Sequence, residues 1–168
     1  MSLSDLDRRA LIAARTRAHP RWAEQIVGRF SRTGEHAACW LAFGVAGAFI
    51  DRERRGAWLR GVTIVAGALA LNYAVKLSVR RRRPELRDLP PLTPTVSGLS
   101  FPSAHATTSF AAARAFSPLV PAAPLYAVAG AFAVSRPYLG VHYPSDVLAG
   151  AALGTVLAGA WPRSGVAA

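Results

Sequence analysis

Apolar residues gather along this chain in five blocks, roughly 36–50, 57–75, 103–116, 119–135 and 147–162, with charged or irregular stretches between them. Each block is read as a helix, and each is short for a bilayer span, which takes about 20 residues. A buried all-α core and a membrane bundle therefore both fit the lengths. Three features favour lipid. Gly150, Gly154 and Ala158 form a small-xxx-small ridge that lets helices approach closely. Trp40, Trp58 and Trp161 stand near block ends, where interfacial aromatics belong. The last two blocks carry no polar face to meet water, and Arg60 and Arg114 lie where their stems can snorkel. The expectation is an all-α integral membrane helical bundle of about five spans.

Ahead of the blocks, Ala10, Ala14, Ala18, Trp22, Ile26 and Phe30 recur every four residues. Arg8, Arg9, Arg15, Arg17, Arg21, Arg29 and Arg32 fill the other faces, which predicts an amphipathic helix broken near His19-Pro20. Such a helix lies on an anionic membrane surface or packs on the domain, and the pattern leaves both open. No apolar core of the signal-peptide kind occurs in residues 1–35. The whole chain, 168 residues, reads as one domain: an interfacial region, 1–35, and a helical core, 36–162. The one long connector is 84–102, which holds Pro84, Pro90, Pro91, Pro94 and Pro102. Long ordered connectors tend to be functional.

Composition adds less than distribution. The hydrophobic fraction of 52% is only slightly above that of globular chains. The net charge of +11 is nearly all arginine, Lys76 being the sole lysine, and it implies an anionic partner. Nucleic acid is the weaker option, because the basic residues flank apolar runs and no zinc spacing or helix-turn-helix turn is present. Lipid headgroups or a phosphorylated substrate fit better. The single cysteine, Cys39, permits neither an intrachain disulfide nor a cysteine metal site.

Three clusters carry candidate chemistry. Lys76 and Arg83 are seven residues apart, so a helix running to Pro84 would put both cations on one face within about 20°. A basic cluster after an apolar run is also an ordinary juxtamembrane anchor. The second cluster, Ser100 to His105, opens the third block, where a helix N-terminus offers unpaired N–H groups to an anion. There Ser103 can donate a hydroxyl and His105 a proton, or Ser103 simply caps the helix. The third cluster, Ser135 to Asp146, packs Arg136, His142 and Asp146 into a short connector. Pro137 should end the preceding helix near Ser135, and Pro144 suits the first turn of the next, with Asp146 inside that turn. Parity joins the clusters. Blocks three and four make a round trip, so all three clusters emerge on one face of the bundle.

In order and spacing, Lys76 to Pro84 resembles the K-x6-R-P element of the type-2 phosphatidic acid phosphatase superfamily. Phe101 to His105 resembles its P-S-G-H element, and Ser135 to Asp146 its S-R-x5-H-x3-D element. Ala104 departs from the usual glycine: its N–H can still meet phosphate, but the methyl narrows the pocket. This variant in a short arginine-rich chain looks like an actinobacterial branch acting on a decaprenyl-linked phosphoribose phosphate.

The resemblance implies a metal-independent lipid phosphatase without cofactor, acting on a lipid phosphate through a phosphohistidine. His142 would be the nucleophile, Asp146 its orienting carboxylate and His105 the general acid. Lys76, Arg83, Ser103, the Ala104 N–H and Arg136 would bind the phosphate. Undecaprenyl diphosphate, phosphatidic acid and phosphatidylglycerophosphate remain alternative substrates. A soluble acid phosphatase or haloperoxidase relative and a silent lipid-binding scaffold remain alternative classes. With five spans, Arg52, Arg54, Arg55 and Arg163 fall on one side and residues 1–35 with the motif connectors on the other. The positive-inside rule then puts the active site on the cytoplasmic face of the plasma membrane.

Overall fold

The structure, a computed structural model, describes residues 3–17 and 19–162. Ala18 of the four-residue stripe and Arg163 of the charge count lie outside the described residues. Seven α-helices and no strand occur among the described residues: α1 (Leu3–Thr16), α2 (Arg21–Thr33), α3 (Ala38–Ile50), α4 (Arg55–Val79), α5 (Ala104–Phe116), α6 (Ala122–Tyr138) and α7 (Pro144–Ala160). A single 3-10 turn, Glu35–Ala37, joins α2 to α3. The five apolar blocks are α3 to α7, and the N-terminal region breaks at Pro20 as its sequence predicts. Among the described residues one helix, α4 with 25 residues, is long and apolar enough to cross a membrane. The stretches Glu35–Ile50 and Pro144–Ala160 are apolar but shorter.

The middle of the bundle is α5, which packs on α4, α6 and, most extensively, α7. That last contact depends on the small-residue ridge. A Cβ at Gly150 would come 2.6 Å from the Ser103 carbonyl oxygen, and one at Gly154 would come 2.0 Å from that of Thr107. Glycine thus sets how closely the backbones of α5 and α7 approach. Beside this seam, Trp40, Phe43, Trp58 and Phe116 form an aromatic cluster in which Phe43 meets the other three edge to face and Trp58 tilts over Phe116. Phe116, 0% exposed, packs against the Phe43 and Trp58 rings, and aromatic pairs of this kind contribute about 0.5–1.5 kcal/mol each through their geometry. Exposed Val134, Leu148 and Val156 dress the outer faces of α6 and α7 with hydrocarbon.

The bundle has two chemically different ends. At one, the Asp51 carboxylate accepts from Arg54 Nε (2.7 Å) and Trp58 Nε1 (3.1 Å), fastening the α3–α4 turn. Arg54 also donates to the Leu119 carbonyl, and Arg60 to that of Trp161, which gathers the α5–α6 turn and the end of α7. At the opposite end lie α1, α2, the 80–103 connector and the loop 139–143, and this is where the chemistry-bearing clusters converge.

Four local expectations change. The α4 helix stops at Val79, not at Pro84, because Arg80 adopts a left-handed conformation (φ 53°). In contrast, α6 continues past Ser135 to Tyr138 with Pro137 in its last turn. Pro137, which has no N–H, gives up the bond to the Ala133 carbonyl, and the helix closes beyond it where the Leu139 and Gly140 N–H groups bond the Ser135 and Pro137 carbonyls. Trp40 and Trp58 are core residues, 5% and 4% exposed, with their indole N–H groups satisfied by Ser109 and Asp51. On α1 the packed face is Asp7, Leu11 and Arg15, one position on from the alanine stripe, while Ala10, Trp22 and Ile26 are exposed.

Candidate active site

The nucleophile candidate sits where two helices fail to join. The end of α6 at Tyr138 and the start of α7 at Pro144 leave a five-residue loop, 139–143, in which Gly140 takes the positive φ (75°) that glycine tolerates. Within it the Val141 N–H bonds back to the Arg136 carbonyl (3.1 Å). The α7 helix starts with Pro144 at its first position and a reciprocal cap between Tyr143 and Asp146. These local rules hold His142, 2% exposed, one turn ahead of a fully buried Asp146.

Asp146 is held from several directions. Its carboxylate accepts from Ser100 Oγ, from Arg81 Nη1 (2.8 Å) and from the Tyr143 N–H (2.9 Å). Its Oδ2 lies 3.6 Å from His142 Nδ1. With Nδ1 turned to the carboxylate, Nε2 faces the other way and meets Arg83 Nη1 at 3.2 Å. Burial, reinforced by Arg83 and Arg136 and opposed by the Asp146 hydrogen bond, pushes the His142 pKa down to about 3. A neutral, oriented imidazole with an available Nε2 is the form that attacks an electrophile.

Arg83 reaches this place without a helix. After α4 ends, 81–83 pair in an antiparallel fashion with 98–100: the Ser100 N–H bonds the Arg81 carbonyl (2.7 Å) and the Arg83 N–H bonds that of Gly98 (3.1 Å). The pairing delivers Arg83 and Ser100 together, and Arg83 is further tied to the Ser97 and Val141 carbonyls. Lys76, 4% exposed, donates to the carbonyls of Leu99 (3.1 Å) and Pro102 (3.2 Å). Its ammonium thereby ties down the same loop while facing the cavity.

Lys76, Arg83, Ala104, His105, Arg136 and His142 line one cavity. Ala104 opens α5, so the first-turn N–H groups that have no intrahelical acceptor stand at its wall. Ser103 behaves differently: its hydroxyl is buried, lacks a partner and does not line the cavity, and its N–H is bonded to the Asp146 carbonyl. Three cations and a helix N-terminus around a neutral histidine suit a multiply charged anion, and repel a metal cation.

Several contributors escape the motif reading. Ser31, from α2, accepts Arg136 on its hydroxyl and His105 Nε2–H on its carbonyl (2.9 Å). Asn72 bonds the Pro102 carbonyl and Thr107 Oγ1, fixing the loop to α5. Arg81, inside the basic run, spans Asp146 and Asp7. No local pattern marks Ser31 or Asp7, because each meets its partners across 74 or more residues of chain.

Residues 57–167 match the family model described as the PAP2 superfamily. A decaprenylphosphoryl-5-phosphoribose phosphatase of Mycolicibacterium smegmatis is 43% identical over 71% of this chain and 67% of its own length. The like-named protein of Mycobacterium tuberculosis is 40% identical over 76% and 72%. Among solved structures, a transmembrane PAP2-type phosphatidylglycerolphosphate phosphatase from Bacillus subtilis superposes with TM-score 0.72 at 26% identity, covering 92% of this chain and 82% of that one. The Aquifex aeolicus LpxE structure shares the fold, with TM-score 0.73 over 94% and 96% of the two chains.

Proposed function

This chain belongs to the PAP2 superfamily, and from that membership we propose that it is a membrane phosphatase that removes the phosphomonoester of an isoprenoid-linked substrate resembling decaprenylphosphoryl-5-phosphoribose. The observation that carries the reading is the placement of His142 Nε2 in the same cavity as Lys76, Arg83, Arg136 and the start of α5. A phosphoryl group seated there meets the nucleophile and its charge-neutralising partners at once.

In the proposed reaction His142 Nε2 attacks phosphorus and the bond to the ester oxygen breaks, leaving phosphohistidine. Asp146, through Nδ1, holds the imidazole orientation and balances the charge that develops on it, as in a catalytic triad. His105, whose Nε2–H is engaged by the Ser31 carbonyl, acts as the acid from Nδ1: the imidazolium formed as the anionic substrate binds gives its Nδ1 proton to the leaving alkoxide. Water then cleaves the phosphohistidine. Arg83, Arg136, Lys76 and the Ala104 N–H bind the phosphoryl oxygens, and a single preorganised donor of this type is worth about 10²–10³ in rate. Arg83 must release Nε2 as phosphate enters, which couples binding to freeing the nucleophile. Ser103 belongs to this set only if its unpartnered hydroxyl turns toward the bound anion.

We read α3 to α7 as five spans, with α1 and α2 at the interface on the active-site end. The hydrocarbon on the outer faces of α6 and α7 supports lipid contact, and the arginine-rich N-terminal region supports a cytoplasmic active site under the positive-inside rule. A reporter fused after Ala168 then appears on the outer side; a cytoplasmic signal would reverse the orientation. For the activity, His142→Ala is assayed for phosphate release from the decaprenyl-linked phosphoribose phosphate, undecaprenyl diphosphate, phosphatidic acid and phosphatidylglycerophosphate. Loss of a nucleophile costs up to about 10⁶ in turnover. Full activity in the variant would end the histidine mechanism, and preference for a glycerolipid would end the isoprenoid assignment alone.

A further inference from the structure

The first helix carries two buried charges where a merely packed or membrane-bound helix needs none. Asp7, Leu11 and Arg15 recur at four-residue steps and are 7%, 0% and 5% exposed. The Asp7 carboxylate accepts the Ser145 N–H (2.9 Å), the Ser145 hydroxyl and Arg81 Nη2 (2.8 Å). Arg15 donates to the carbonyls of Pro90 (2.8 Å) and Tyr138 (3.3 Å), and its Nε would lie 2.9 Å from a Cβ placed on Gly140. One residue therefore grips the beginning of α7 and the other the end of α6, on either side of the loop that carries His142.

The signs are those that the two helix ends require. An anion sits at the positive N-terminus of α7, and a cation at the negative C-terminus of α6. Eight residues of helix hold the two grips about 12 Å apart. Arg81 extends the contact inward, since one guanidinium is shared by Asp7 and Asp146 and its planar fork is oriented by both. Burial alone would raise the Asp7 pKa, but the Ser145 and Arg81 hydrogen bonds outweigh it and keep the carboxyl below its usual range. None of these α1 residues falls within the 57–167 segment matched to the family.

We propose that α1 is a splint for the catalytic loop, with Asp7 and Arg15 as positioning residues that hold His142 and, through Arg81, Asp146 in their reacting geometry. The proposal rests on His142 and Asp146 being the reacting pair.

The test uses the full chain in detergent micelles with a short-chain isoprenoid phosphomonoester, measuring kcat, KM and the stoichiometry of bound orthovanadate. Asp7→Asn and Arg15→Met lower kcat about 10- to 100-fold, the cost of a reacting group displaced by up to about 1 Å. KM stays within about twofold and vanadate stoichiometry is kept, because the phosphate-binding groups are untouched. Arg8→Gln, on the exposed face of α1, keeps wild-type kcat. If Asp7 acts through Arg81, adding Asp7→Asn to Arg81→Gln costs no more than Arg81→Gln alone. Wild-type kcat per vanadate-binding site in Asp7→Asn overturns the splint, and full additivity in the double variant overturns its route through Arg81, leaving the Ser145 grip as the contact that acts. Should Asp7→Asn fail to fold, Arg15→Lys carries the test: it keeps the charge but loses the fork that reaches two carbonyls, and unchanged kcat there overturns the proposal equally. A wild-type enzyme without phosphatase activity would instead refute the function it rests on.

Discussion

Replacing Gly154 by alanine separates packing from chemistry at the point where they are most closely coupled. The added Cβ falls 2.0 Å from the Thr107 carbonyl oxygen, 2.9 Å from its carbon and 3.0 Å from the Ala111 nitrogen. All three are backbone atoms of α5, so no side chain can rotate away. Reaching an ordinary contact of 3.4 Å requires the helices to part by about 1.4 Å (3.4 − 2.0) along that line. Overpacking of this kind costs about 1–3 kcal/mol, and each kcal/mol lowers the melting temperature of a domain this size by about 2–4 °C. The seam also carries the site: α5 supplies Ala104 and His105, α7 supplies Asp146, and the Ser103 N–H to Asp146 carbonyl bond (2.9 Å) joins them. A displacement beyond about 1 Å is worth about 10² in rate, so kcat should fall by roughly that factor. Gly130→Ala is the matched control. On α6 its Cβ would meet nothing within 4 Å, and relief of glycine's backbone freedom should stabilise by about 0.5–1 kcal/mol with kcat unchanged. Thermal unfolding in detergent and phosphate release read both variants. A Gly154→Ala enzyme with wild-type melting and turnover would refute the glycine-limited approach of α5 to α7.

Ser100→Ala removes one hydroxyl from the buried Asp146 carboxylate, a charged-acceptor bond worth about 1.5–3 kcal/mol, and should lower kcat about tenfold or more while leaving KM near wild type. Unchanged kcat would mean that Arg81 and the Tyr143 N–H suffice to orient Asp146. For pH, the folded His142 value of about 3 lies below the ordinary 6.5, so between those limits the unfolded chain binds more protons. The resulting stability is fully present above about pH 6.5 and is lost as pH falls toward 3. Melting temperature should therefore drop more steeply across that window in wild type than in His142→Gln; parallel curves would show that burial does not depress this imidazole.

The five-helix core, the break at Pro20 and the candidate residues that line the cavity, Ser103 apart, were legible in sequence because each rests on local signals: apolar block lengths, proline positions and short motifs of fixed spacing. Even the convergence of the three clusters follows from counting helices between them. What local reasoning misplaced were the termini and faces. It extended α4 to Pro84, because nothing nearby announced that Arg80 would turn left-handed. It assigned Trp40 and Trp58 to the interface, because an indole near a block end looks the same whether it meets lipid or Phe116.

Sequence by itself therefore determined which helices exist and which side chains are the candidates to meet a phosphate, since periodicity and motif spacing are properties of neighbouring residues. Tertiary structure alone decided what holds those side chains still: Ser31 beneath Arg136 and His105, Ser100 and Arg81 on Asp146, and Asp7 and Arg15 bracketing the His142 loop. A buried charge gains its partner from wherever the fold brings one, and here most partners lie 46 to 138 residues away. No spacing rule reaches that far, because the distance between such residues is set by packing rather than by the chain between them.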